Sequence, residues 1–204
     1  MVEGHKCNLL YFDPYRNASL EDYVTSYGAF LKSRGEAPVT VRRCETVAEL
    51  LAAADIVSLH TVLDASTRHL IDAKALSTMK KTAVLVNCAR GPVVDEAALV
   101  AHLKANPEFR CGLDVFEREP EMAPGLAECP NAVIVPHIAS ASAWTRGGMA
   151  TLAAANVAAR LSGAPVWAKP NDVSPFLDGP VAGIPKASPS IVNADALKLP
   201  KLAA

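Results

Sequence analysis

The chain has 204 residues, 50% of them apolar, and its 20 Lys and Arg against 21 Asp and Glu leave a formal net charge of −1. That is apolar material for the core of one domain or one and a half, and no basic run is dense enough to follow a phosphate backbone, so nucleic acid is excluded as an expected partner. The longest apolar-rich stretch, residues 149–161, is Ala-rich, interrupted by Asn156 and Arg160 and too short to cross a bilayer, so no membrane span is expected.

In chain order, MVEGHKCNLLYFD has no apolar stretch long enough for a signal peptide. It reads as the tail of a helix running into a strand at residues 9–12. Further strands are predicted at 40–42, 56–59, 83–87, 109–113 and 132–135, where short aliphatic or β-branched runs are bounded by turn residues. Helical patterns occupy 20–33, 47–53 and 96–104, the last with Asp95 as N-cap, and a long Ala-rich helix is predicted over 143–161. The strands are nearly continuous in apolar character, which predicts cover on both faces, as in a parallel sheet. Strand and helix in alternation give an α/β fold of the doubly wound kind. Beyond the long helix the chain is Pro-rich without a period, and residues 163–204 are expected to be an extended or partly disordered tail.

The five cysteines are odd in number and lack C-x-x-C spacing, as expected of free thiols in a reducing compartment. Cys88 has no adjacent base and is read as a packing residue. His5, His69 and His102 belong to no ligand set with metal-site spacing.

Ligands of an open parallel sheet bind beyond the carboxyl ends of its strands. The polar residues that follow the predicted strands are Asp13, His60, Arg90, Asp114 and His137. Each alone reads as a cap or turn residue; five together on one edge point to a site. Asp13 stands where a carboxylate can accept both hydroxyls of an adenine ribose. The glycine turn that belongs ~20 residues upstream of such a carboxylate has no room here, because only twelve residues precede Asp13.

Three motifs, VNCARGPVVDEAAL, GLDVFEREP and VPHIASAS, follow in an order and spacing that resemble the D-isomer-specific 2-hydroxyacid dehydrogenase family over about residues 8–161. GEAPVTVRR, PHIASASAWTRGGMATLAAANV and the tail ASPSIVNADALKLP further resemble the hydroxypyruvate-reducing, photorespiratory branch of that family in plants and algae. The resemblance implies NAD as cofactor and a small 2-oxo acid, hydroxypyruvate or glyoxylate, as substrate. By the same resemblance Arg90 binds the substrate carboxylate and ketone oxygen with its planar fork. His137 is the acid that protonates the alkoxide, and Glu119 pairs with the other ring nitrogen and favours the charged ring. The remaining acid of that motif, Glu117, is expected to be solvated. Asp114 would hold the nicotinamide carboxamide, with Asn87, Cys88, Ala89 and Ala139 along the cofactor. His60 is read equally as lining the cofactor and as structural, and Trp144 as lining the substrate pocket or as packing.

The resemblance also implies a domain plan. Residues 1–141 are expected to be a truncated NAD-binding domain of partial Rossmann type, lacking the first strand and the glycine turn. Residues 142–162 form a long helix leading back toward a missing substrate domain, and 163–204 the tail. The chain is thus read as the C-terminal part of a protein that is a homodimer when whole, with little activity on its own. Asp13 favours NADH over NADPH, against which Arg16, Arg42 and Arg43 stand as possible phosphate partners. A non-catalytic module related to dehydrogenase-like corepressors is the alternative, and the compartment, mitochondrion, peroxisome or cytoplasm, is left open.

Overall fold

A computed structural model describes residues 2–169, 172–177, 185–191 and 193–202. A short helix α1 (Val2–His5) leads into β1 (Leu9–Tyr11), α2 (Ala18–Ser33), β2 (Val41–Arg43), α3 (Val47–Ala53) and β3 (Ile56–Leu59). Then come α4 (Ala73–Thr78), β4 (Val84–Asn87), α5 (Glu96–Ala105), β5 (Arg110–Leu113), β6 (Ala132–Ile134) and the long α6 (Ala143–Leu161). Polar caps fix where the helices begin. The side chains of Asn17, Thr46, Asp72, Asp95 and Ser142 each accept the backbone N–H three residues on, which satisfies a donor that the first turn leaves without an intrahelical partner. In α2 the buried residues Val24, Gly28 and Leu31 fall at helical spacing on the face that packs against Val39. The sequence pattern does not predict α4, because six residues are too few to display a period.

All strand pairs are parallel. β1 pairs with β2, and β3-β4-β5-β6 form a separate four-stranded sheet in chain order. This is the order of a doubly wound sheet with the strand between β1 and β3 left out. Leu59, Asn87, Leu113 and Ile134 lie in one row across the four-stranded sheet, so its carboxyl ends are level.

The core lies on one face of that sheet. Leu51 of α3, Leu76 of α4, and Leu99 and Leu103 of α5 pack there with Leu85, Phe109, Cys111 and Leu113, each fully buried large side chain contributing ~2 kcal/mol. Cover on both faces was expected and is not found within this unit. Burial alternates along β3 and β5, and Ile56 and Val133 on the outer side are 45% and 69% exposed. The cause is topological: strands added in one direction by right-handed crossovers carry every connecting helix on the same face. All five cysteines are free. Burial, with Cys129 nearby, pushes the Cys111 thiol up to about 12, so it is an inert packing group.

A compact unit ends at His137, and a second begins at Ile138. In the second unit, β7 (Val166–Trp167) pairs in parallel with β8 (Lys201–Leu202), and a 3₁₀ turn spans Ser174–Phe176. The Trp167 ring meets Phe176 edge-on at 5.7 Å, and Asn156 of α6 accepts the Ser190 amide at 3.0 Å. The tail expected to be extended or partly disordered therefore carries regular structure in pieces of two or three residues, too short for periodicity to reveal. For residues 170–171, 178–184, 192 and 203–204 that expectation lies outside the described residues.

Candidate active site

β4 ends in a corner that Asn87 holds together. Its side chain is 1% exposed; it accepts the Ala89 amide at 3.0 Å and donates to the Arg90 carbonyl at 3.0 Å. A buried amide with both ends bonded is what low-dielectric surroundings require. The bonds leave Arg90 extended (φ −144°, ψ 137°) at the cap of a 3₁₀ turn, Gly91–Val93. Its guanidinium is at the surface, with one nitrogen donating to the Ala89 carbonyl at 2.7 Å. Gly91 is obligatory: a Cβ there would lie 1.8 Å from the Phe116 carbonyl oxygen. The Arg90 corner and the loop after β5 thus meet backbone to backbone.

That loop begins with Asp114, 2% exposed, whose amide donates to the Asn87 carbonyl at 3.0 Å. Two residues on, the Phe116 amide donates to one oxygen of Glu119 at 3.2 Å, and the other oxygen meets Nδ1 of His137 at 2.8 Å. The His137 ring above all, helped by the Phe116 amide, holds the Glu119 carboxyl below its ordinary value, against desolvation and the charge of Asp114. His137 has φ +52°, a left-handed conformation that a side-chain-bearing residue adopts only when its surroundings impose it, and its amide donates to the Val135 carbonyl at 3.1 Å. The carboxylate engages Nδ1 and leaves Nε2 without a partner among the described residues. A ring held this way can pass a proton through Nε2.

Arg90, Asp114, Glu119 and His137 thus arise beyond the ends of three adjacent level strands. His60, beyond β3 on the same edge, is exposed, and its Nε2 bonds the Ser58 hydroxyl at 2.8 Å. Next to it in sequence, the Thr61 hydroxyl is buried with no partner among the described residues. Asp13 follows β1 at the surface, its carboxylate accepting the Tyr15 amide at 2.8 Å. The arginines near it are engaged: Arg43 donates to the Asp13 carbonyl at 2.9 Å and the Pro14 carbonyl at 3.2 Å, Arg16 to Glu21 at 2.6 Å, and Arg42 pairs with Glu49. Ala139 and Trp144 belong to the second unit, where the indole is exposed in the first turn of α6.

Two expectations need correcting. Cys88 does not pack; alternation after buried Asn87 turns it outward, and it is exposed. Glu117 is not a solvated acid. It pairs with Nε2 of His69, and its amide donates to Glu96. Sequence reasoning also missed Glu96, 3% exposed at the start of α5, whose second oxygen accepts the Ala123 amide at 2.9 Å. A first-turn glutamate beside a cap looks like a surface residue, so nothing in the pattern marks it. Among the described residues no group of three or more His, Cys, Asp or Glu could hold a metal ion.

The chain is 63% identical to a glycerate dehydrogenase of Cucumis sativus over 97% of its own length and 51% of that protein's. It is 62% identical to a peroxisomal glycerate dehydrogenase of Arabidopsis thaliana over 98% of its length and 52% of that protein's. It thus spans about half the length of these curated relatives. Among solved structures, a glyoxylate reductase from Paecilomyes thermophila superposes with a TM-score of 0.61 at 35% identity, over 74% of this chain and 41% of that one. The NAD binding domain of the D-isomer specific 2-hydroxyacid dehydrogenases matches residues 1–139, and the chain belongs to that family.

Proposed function

We propose that this chain is the catalytic and cofactor-facing portion of an NADH-dependent reductase. It reduces hydroxypyruvate to D-glycerate, and glyoxylate to glycolate, in photorespiration. The observation that carries the reading is the His137 ring, held through Nδ1 by Glu119 at 2.8 Å while Nε2 has no partner among the described residues, on the strand edge that also presents Arg90. When bound, the nicotinamide supplies a hydride to the ketone carbon of the substrate. Arg90 then holds the substrate carboxylate and stabilises the charge that builds on the ketone oxygen, a task for a forked guanidinium that a lysine ammonium performs poorly. His137 delivers its Nε2 proton to that oxygen, and Glu119 offsets the charge on the ring before transfer. Reduction by the chain alone is negligible in this reading, because no glycine-rich turn for the pyrophosphate precedes Asp13 within it.

A nicotinamide dinucleotide suits the residues present. The buried Thr61 hydroxyl, without a partner among the described residues, and the buried Asp114 lie at the level carboxyl ends of β3 and β5, and we assign Asp114, Asn87, Ala89, Cys88 and His60 to that cofactor. NADH is preferred over NADPH in this reading, because the Asp13 carboxylate repels a 2′-phosphate and Arg16, Arg42 and Arg43 are each already engaged. The whole protein is proposed to be a homodimer in an organelle, mitochondrion or peroxisome; the Arabidopsis relative is named as peroxisomal.

The test is a chimera in which this chain replaces the matching half of the cucumber relative. The expected result is NADH oxidation on addition of hydroxypyruvate, with kcat/KM at least about tenfold higher for NADH than for NADPH, the discrimination that one repelled charge supplies at ~1.4 kcal/mol. A folded chimera inert toward every 2-oxo acid would contradict the reaction. Equal use of both cofactors would contradict the role of Asp13.

A further inference from the structure

Glu96 is a carboxylate with almost no contact with water, at the first position of α5, and both of its oxygens are used on a single loop. One accepts the amide of Glu117, the other the amide of Ala123 at 2.9 Å. These amides bracket Glu119, two residues before it and four after. No other side chain among the described residues bonds the backbone of this loop at two points on either side of Glu119. Burying a carboxylate is costly unless charge-assisted bonds replace its water. Two bonds to backbone N–H groups do so here, and the α5 N-terminus further favours the negative charge.

We propose that Glu96 is a positioning residue for the acid. It fixes the height and direction of the 117–123 loop so that the Glu119 carboxylate meets Nδ1 of His137, and thereby sets which ring nitrogen carries the proton. The chain of contacts is short: Glu96 to the Glu117 amide, Glu117 through two peptide units to Glu119, Glu119 to Nδ1. Glu117 also pairs with His69, but that pair ties only a side-chain tip, whereas Glu96 holds the backbone. Without Glu96, the packing of Gly91 on Phe116 and the tip of Glu117 on His69 hold the loop only upstream of Glu119, and the carboxylate loses its fixed distance to the ring. The role deepens the reading of His137 as the acid and rests on it.

The experiment uses the 204-residue chain labelled with ¹⁵N at histidine and at backbone amides, without substrate. Ring ¹⁵N shifts report the tautomer of His137, and hydrogen exchange reports the two amides. In the native chain the neutral ring is expected to carry its proton on Nδ1. In Glu96→Ala the tautomer should move toward Nε2–H, to the value of Glu119→Ala, and the amides of Glu117 and Ala123 should exchange at least about tenfold faster, as donors that have lost a buried acceptor do. Glu96→Gln keeps one acceptor oxygen; one of the two amides should exchange faster and the tautomer should move part of the way. A merely structural Glu96 would lower the melting temperature of Glu96→Ala and leave the tautomer native, and that result overturns the proposal. Should Glu96→Ala not fold, Glu96→Gln decides: a native tautomer with both amides protected overturns it, a partial move supports it. The readout needs no turnover, so full activity in a chimera carrying His137→Ala would refute the acid assignment and leave this coupling standing.

Discussion

One loop carries two glutamates two residues apart, and each meets a histidine, yet the two pairs are built for different work. Glu117 takes Nε2 of His69, the far nitrogen of the ring, while Glu119 takes Nδ1 of His137. Both histidines have φ +52°, so both rings are aimed by a backbone their surroundings impose. The His69 amide is tied to the Pro92 carbonyl at 2.8 Å, and two residues on Ile71 bridges Val94. This pair therefore braces the Arg90 corner against the loop. The His137 pair is the more exposed of the two, and its Nε2 has no partner among the described residues. The lesson is that a histidine–carboxylate contact does not by itself mark an acid; which ring nitrogen remains available does.

Gly91 serves both pairs at once, because its backbone lies against Phe116 and Glu117, and replacing it should have the largest effect. Gly91→Ala puts a methyl group into a carbonyl and is expected to cost more than ~4 kcal/mol, seen as loss of the cooperative thermal transition of the chain. A native melting temperature in that variant would show that the corner and the loop can separate without cost.

The next effect splits the pairs. In the cucumber chimera, His137→Gln should lower kcat/KM for hydroxypyruvate by about a hundredfold or more. His69→Gln should change it by less than about fivefold, the ceiling for a half-exposed ion pair. Comparable losses from the two substitutions would erase the distinction drawn here. Arg90→Lys, which keeps the charge and discards the fork, should cost roughly ten- to a hundredfold in kcat/KM, as loss of a charge-assisted hydrogen bond does. Unchanged activity would remove Arg90 from the site.

Much of this arrangement can be read from residue order. The strand ends were predictable because aliphatic runs stop at Asp13, His60, Asn87 and Asp114, and the level register of β3 to β6 then brings their polar successors to one edge. The cap of α5 at Asp95 was equally plain. What order cannot show is contact between distant segments. Glu117 reads as solvated because its partner, His69, lies 48 positions away, and Glu96 reads as an ordinary first-turn acid because its acceptor role depends on a loop folding back over it. The nearly continuous apolar character of the strands predicts cover on both faces of the sheet, whereas exposure of Ile56 and Val133 follows from crossover handedness. Short elements such as α4 and β7 escape periodicity for want of length.

The smallest effect is also the most telling. In the proposed reduction the proton comes from the His137 ring. Glu119 places a carboxylate against the Nδ1 side of that ring at 2.8 Å. The carboxyl of Glu119 is itself held below its ordinary value, so its contribution to the pair is complete above the unfolded carboxyl value of about 4.3 and is lost only as pH falls through the lower folded value. It is therefore constant at neutral pH. The decisive measurement is kcat/KM for hydroxypyruvate reduction at neutral pH in the chimera, with Glu119→Gln and Glu117→Gln side by side. The expected result is a loss of about tenfold in Glu119→Gln, the size of one charge-assisted hydrogen bond, and of less than about threefold in Glu117→Gln. Equal losses in both variants, or no loss in Glu119→Gln, would contradict that role of Glu119.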